Sequence, residues 1–147
     1  MEITEVTENK KQYLYLLLLA DEQEDMIDRY LDKGKMYILN DDGVKCACVV
    51  TFEENSILEI KNIATVPEFQ RKGYAKSLVE FLVSEYRGQF SILQVGTGDS
   101  PLTIPFYLKC GFVRSHIVPN FFTDNYNHPI YESGVQLVDM VYLQRAL

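Results

Sequence analysis

The chain has 147 residues, 47% of them hydrophobic, and a formal net charge of −7. That length fits a single domain, residues 1–147, with chain enough to bury a core unaided, and the apolar content without low-complexity tracts excludes a disordered protein. The acidic balance, with pI near 4.8, argues against nucleic acid or an anionic membrane as partner and leans toward a cationic substrate, while an acidic surface is also simply a soluble one.

Three cysteines, Cys46, Cys48 and Cys110, form an odd set without paired spacing, which fits a reducing, cytoplasmic setting. Cys46 and Cys48 are read as pointing to opposite faces of a strand and so unable to chelate one ion together. His116 and His128 lack metal-like spacing, so no metal is expected. The apolar run from Tyr13 to Ala20 is too short to span a bilayer, and its charged flanks are not those of a signal peptide.

In chain order, Met1 to Val6 reads as a short strand and Asn9 to Ala20 as a helix. Asp21 is placed to cap a second helix, whose stripe is Met26, Ile27, Tyr30 and Leu31 and which ends at Gly34. Met36 to Leu39 and Val44 to Phe52 read as strands joined at Asn40-Asp41-Asp42-Gly43, a hairpin sequence. After the turn Glu53 to Ser56, Ile57-Leu58-Glu59-Ile60 alternates apolar and polar, the pattern of a half-buried strand. The alternation slips at Lys61-Asn62, as a β-bulge makes it do. Ala75, Leu78, Val79, Leu82, Val83 and Tyr86 then give one apolar helical stripe, and Gly88 suits the positive φ that follows a helix end. Phe90 to Val95 reads as a strand. A helix starting near Thr103, with Pro105 in its first turn, runs to Lys109 and stops at Gly111. Phe112 to Val118 is a strand, Pro119 to Gly134 a long loop, and Val135 to Leu143 a closing strand.

Between the bulged strand and the striped helix lies Gln70-Arg71-Lys72-Gly73-Tyr74-Ala75. A turn entering a helix leaves backbone N–H groups without partners, and with the helix dipole they favour an anion. Gly73 and small Ala75 permit close approach, and Arg71 and Lys72 add positive charge. The plainer reading is a surface loop with two solvated bases. Gln-x-x-Gly-x-Ala in this setting resembles the acyl-CoA site of the GNAT superfamily of N-acetyltransferases. A second match, Phe106-Tyr107-Leu108-Lys109-Cys110-Gly111-Phe112, follows in the family's order. The motif-specific likeness spans about Leu58 to Phe112, and the element order agrees throughout the chain.

The resemblance implies an α/β (α+β) fold: a mixed, mostly antiparallel sheet of about seven strands, helices on both faces, and a splayed central strand pair that admits the cofactor. It implies acetyl-CoA as co-substrate. Its pyrophosphate would lie on the backbone from Arg71 through Lys72, Gly73 and Tyr74 to Ala75, beside Gln70. Its pantetheine arm would pair with Ile63, Ala64, Thr65 and Val66. Tyr107 matches the family's tyrosine that donates to the leaving thiolate, the alternative being a ring that packs a helix start. Glu59 matches the position where some members carry a catalytic glutamate, the alternative being a carboxylate paired with a lysine or solvated. Asp139 and Asp124 are further candidate bases. Phe121, Phe122, Asp124, Tyr126 and Tyr131 lie in an aromatic, acidic stretch that could wall a substrate cleft, with Asp124 or Glu132 pairing with an ammonium group. The same stretch could instead pack on itself or on a second copy in a homodimer. The function implied is transfer of acetyl to a primary amine of a small molecule by direct attack. The alternatives are a protein N-terminal or lysine acetyltransferase and a non-catalytic acyl-CoA sensor.

Overall fold

The computed structural model describes residues 1–147. Seven strands build the main sheet: β1 (Glu2–Val6), β2 (Lys35–Asn40), β3 (Val44–Glu53), β4 (Ile57–Thr65), β5 (Ile92–Gly98), β6 (Val113–Val118) and β9 (Met140–Ala146). Their order is β1-β2-β3-β4-β5-β9-β6, and every neighbouring pair is antiparallel except β4 with β5. The expected mixed, mostly antiparallel sheet is therefore present.

Helices cover both faces. On one side α3 (Tyr74–Tyr86) and α4 (Ile104–Lys109) pack on the larger core. The predicted stripe is the reason: Leu78, Val79, Leu82, Val83 and Tyr86 are all buried. Full burial of such side chains stabilises by about 1.5–3 kcal/mol each. Gly88, with φ 88°, follows the helix end as its sequence position suggests. On the other side α1 (Leu14–Ala20) and α2 (Glu24–Asp28) bury Leu16, Leu17, Met26 and Ile27.

The structure corrects several local expectations. The first helix begins as a 3₁₀ turn, Lys10–Tyr13, before α1. Asp21 does not cap α2, whose preceding residue is Gln23; its carboxylate instead accepts from Tyr30 and Tyr126. The segment read as one long loop contains a helix, α5 (Phe121–Asn125), and the strand β7 (Tyr131–Glu132), which pairs with β8 (Val135–Gln136). The closing strand starts only at Met140. Cys46 and Cys48 share the α3 side of the sheet, because residues two apart on a strand face the same way.

The bulge lies where the alternation slips. Val49 pairs with Asn62 and Val50 with Ile60, so Lys61 is the extra residue. It inverts the faces of β4: Leu58 and Ile60 join the core under α3, whereas Ala64 joins the core under α1. Just beyond, the two central strands part. Ile57 to Ile60 pair with Ile92 to Val95, and there the ladder ends, although β4 continues to Thr65 and β5 to Gly98. No helix is long and apolar enough to cross a membrane.

Candidate active site

A cavity of about 1060 Å³ occupies the gap between the parted strands and reaches both faces of the sheet. Ile63, Ala64 and Thr65 line it from β4, and the strand edge past Ile60 has no partner toward β5. Gln70, Arg71, Gly73, Tyr74 and Ala75 continue the wall. Gly73 is the residue before α3, with φ 86°. A Cβ built there meets nothing within 4 Å, so the left-handed φ explains the glycine rather than crowding by protein. No side chain caps α3, which leaves the first-turn N–H groups of Tyr74, Ala75 and Lys76 open.

Tyr74 fixes this turn by donating to Asp41 Oδ2 at 2.8 Å, in the β2–β3 hairpin. Val66 and Lys72 stand apart from the cavity wall: the Val66 N–H donates to Lys45 O at 2.9 Å, and the Lys72 ammonium lies 5.9 Å over the Phe69 ring. A helix start with free donors, two nearby bases and an unpaired strand edge is a donor set suited to a phosphate-bearing, amide-bearing chain. An acyl-CoA fits that description.

Tyr107 reaches the cavity from α4. Pro105 stands in the first turn of that helix, as expected, and Thr97 and Thr103 join it to the end of β5 by a 2.7 Å hydroxyl contact. The Tyr107 ring meets Phe106 and Phe112 edge-on, at 5.1 and 5.6 Å between centroids. Burial above all, then the nearby Cys110 and Glu132, pushes its pKa well above the usual phenol range. The group therefore stays protonated through the neutral range.

Glu59 lies on the opposite face of the gap and is only 5% exposed. Gln94 donates to its Oε1 at 2.6 Å and Lys61 to its Oε2 at 2.8 Å. Gln144 in turn donates to Gln94 Oε1 at 2.6 Å. Glu59 is thus held by β4, β5 and β9 together, and the bulge residue Lys61 supplies its ion pair. Tyr142 stands close by, stacked on His116 at 4.7 Å; burial, then the charge of Glu59, pushes its phenol up to about 12.

The remaining wall comes from α5 and the β7–β8 hairpin. Phe121, Phe122, Tyr126 and Tyr131 all line the cavity. Phe122 and Tyr126 stack at 5.5 Å between centroids. Asp124 does not line it and points to solvent, which removes it as a partner for a bound amine. Asp139 is likewise outside the wall; it accepts from the Asn120 N–H at 2.9 Å.

The α5 segment is tied down on the α1–α2 junction. Tyr126 donates to Asp21 Oδ1 at 2.8 Å, Tyr30 to Asp21 Oδ2 at 3.0 Å, and Asn62 Nδ2 to the Tyr30 hydroxyl at 3.1 Å. Burial raises the Asp21 pKa, and the two phenols work against that rise. Arg29 and Gln23 make further bonds to Asn125 and to the Asn127 N–H, both at 3.1 Å. The sequence reading did not single out Asn62, Gln94 or Gln144. Each is a polar residue within a sheet strand, and a buried polar group such as Asn62 or Gln94 needs a partner.

Known proteins share this fold. A family model described as an acetyltransferase (GNAT) domain matches residues 32–114. The uncharacterized N-acetyltransferase YvbK of Bacillus subtilis (strain 168) is 35% identical over 143 residues, covering 95% of this chain and 92% of that protein. A GNAT family acetyltransferase from Elizabethkingia anophelis, solved with acetyl-CoA bound, superposes with a TM-score of 0.92 at 33% identity, over 99% of this chain and 97% of that one. A Bacillus subtilis acetyltransferase in complex with CoA superposes with a TM-score of 0.90 at 33% identity, over 99% and 98% of the two chains. The split sheet, the open helix start and the buried tyrosine beside it thus occur in a chain that matches this family in sequence and shape alike, and the protein belongs to the GNAT family of acetyltransferases.

Proposed function

We propose that the chain moves the acetyl group of acetyl-CoA to the primary amine of a small molecule by direct attack, without a covalent enzyme intermediate. The observation that carries this reading is the gap between β4 and β5. It joins an anion-binding turn on one face to a walled, aromatic and acidic pocket on the other. The bound co-substrate supplies a thioester whose C–S bond breaks as the new N–C bond forms. The backbone from Arg71 to Ala75 holds the pyrophosphate, and the β4 edge from Ile63 to Thr65 aligns the amide-bearing arm. Tyr107 donates a hydrogen bond where negative charge develops on sulfur. Its raised pKa means that it stabilises this charge mainly as a hydrogen-bond donor.

The tethered α5 segment supports a small acceptor. It lines the amine side with Phe121, Phe122 and Tyr126, next to Tyr131 of β7, and the bonds of Tyr126 to Asp21 and of Asn125 to Arg29 hold it against the α1–α2 junction. A screen of small amines with detection of released thiol tests the reading. Turnover of at least one small alkylamine is expected. Acetylation only of peptide N-termini or lysines would overturn the choice of acceptor, and CoA binding without turnover on any amine would leave a sensor.

Glu59 takes the amine's proton in this reading, directly or through a water. Each of its oxygens keeps a lone pair after the bonds to Gln94 and Lys61. An aliphatic ammonium has a pKa near that of lysine, about 10.4, so little free amine exists at neutral pH. Glu59→Gln keeps size and hydrogen bonding and removes the basic oxygen. Its kcat/KM is expected to fall at pH 7 and to recover partly as pH rises and solvent deprotonates the amine. Parallel pH–rate profiles for mutant and wild type would make Glu59 structural.

A further inference from the structure

Two buried side-chain acceptors have no hydrogen-bond partner: Asn62 Oδ1 and Glu132 Oε2. Both residues line the same cavity. Asn62 is fixed in orientation, because its Nδ2 donates to Leu17 O at 3.0 Å and to the Tyr30 hydroxyl at 3.1 Å. Turning the amide would set two carbonyl oxygens against each other. Glu132 is the stronger anomaly, since a carboxylate oxygen is shut away from water without a donor or a cation beside it. The residue as a whole is half-buried, and a carboxylate oxygen that is itself out of contact with water favours a donor or a cation as its partner.

The fold holds Glu132 there firmly. It is the last residue of β7, and the turn into β8 places Ser133 and Gly134 both at positive φ, 49° and 76°, which is the tight hairpin geometry. The nearby apolar cluster of Phe122, Ile130 and Leu137 anchors the hairpin from below. Glu132 and Tyr107 line the same cavity. The other acids on the wall are already engaged: Asp21 accepts from two tyrosines, Glu22 contacts His128 at 3.0 Å, and Glu59 accepts from Gln94 and Lys61.

We propose that Glu132 is the carboxylate that receives the substrate's ammonium group and sets it beside Tyr107, so that the acceptor site selects a primary alkylammonium over a neutral molecule of the same shape. This deepens the proposed acetyl transfer and rests on it. It also assigns the ammonium contact to the β7–β8 hairpin rather than to α5.

The test uses the intact protein and the best amine from the screen. Glu132→Gln is expected to raise the KM for that amine about tenfold or more, with the KM for acetyl-CoA unchanged. Glu132→Asp is expected to restore part of the loss by restoring the charge. An amine KM in Glu132→Gln equal to that of wild type would overturn the assignment. A second measurement needs no variant: methylammonium and longer alkylammonium ions should compete with the amine in the wild type, and alcohols of equal shape should not. Equal competition by the alcohols would also overturn it. Failure of the parent reading looks different, because the wild type would then turn over no small amine at all.

Discussion

Tyr107→Phe is expected to lower kcat by roughly 10²-fold or more, the scale of a lost proton-donating group. The change removes one oxygen and keeps the ring, so the edge-on contacts to Phe106 and Phe112 survive and the fold should be unaffected. Affinity for acetyl-CoA should change little, because the hydroxyl acts on charge that exists only as the C–S bond breaks. The raised pKa gives a second expectation. A phenol whose folded pKa lies above its ordinary value, about 10, holds its proton further into the alkaline range. No loss of wild-type kcat through Tyr107 ionisation is therefore expected up to about pH 10. Stopped-flow or steady-state kinetics, in conditions where chemistry limits the rate, check both points. An unchanged kcat in the phenylalanine variant would remove Tyr107 from the mechanism.

Gly73→Asp is expected to abolish the rise in melting temperature that CoA produces in the wild type. Binding to the native state raises stability in proportion to the logarithm of ligand over Kd, so loss of affinity appears directly as loss of the shift. The space around the added Cβ is open, and aspartate is among the residues that tolerate a left-handed φ. The apo protein should therefore still fold. The new carboxylate, however, sits just before α3 and can accept from the same first-turn N–H groups that would hold a phosphate. It also places a negative charge where the pyrophosphate would lie. Calorimetry showing equal CoA affinity in both proteins would overturn the phosphate assignment.

Much of this molecule was determined by the sequence itself. The stripe from Ala75 to Tyr86, the glycines around it, the phase slip at Lys61 and the helix start at Pro105 are local features. Each acts through backbone sterics or side-chain period within a few residues, so they appear in the chain before any folding. They led to the strand–turn–helix unit, the element order and the family. Tertiary structure decided the rest. A helix as short as α5 has no stability of its own; it exists because Tyr126 reaches Asp21, 105 positions away. The partners of Glu59 were not legible in the chain: Gln94, 35 positions away, and bulged Lys61 are brought to its two oxygens by the sheet. Asp124 and Glu132 looked alike as acids in one stretch. Only the docking of α5 and the β7–β8 hairpin turned the first to solvent and the second into the cavity. Composition and spacing record which groups a chain carries. Which of them share a buried space is set by contacts between distant elements, because a side chain's partners there are chosen by packing and not by its neighbours in sequence.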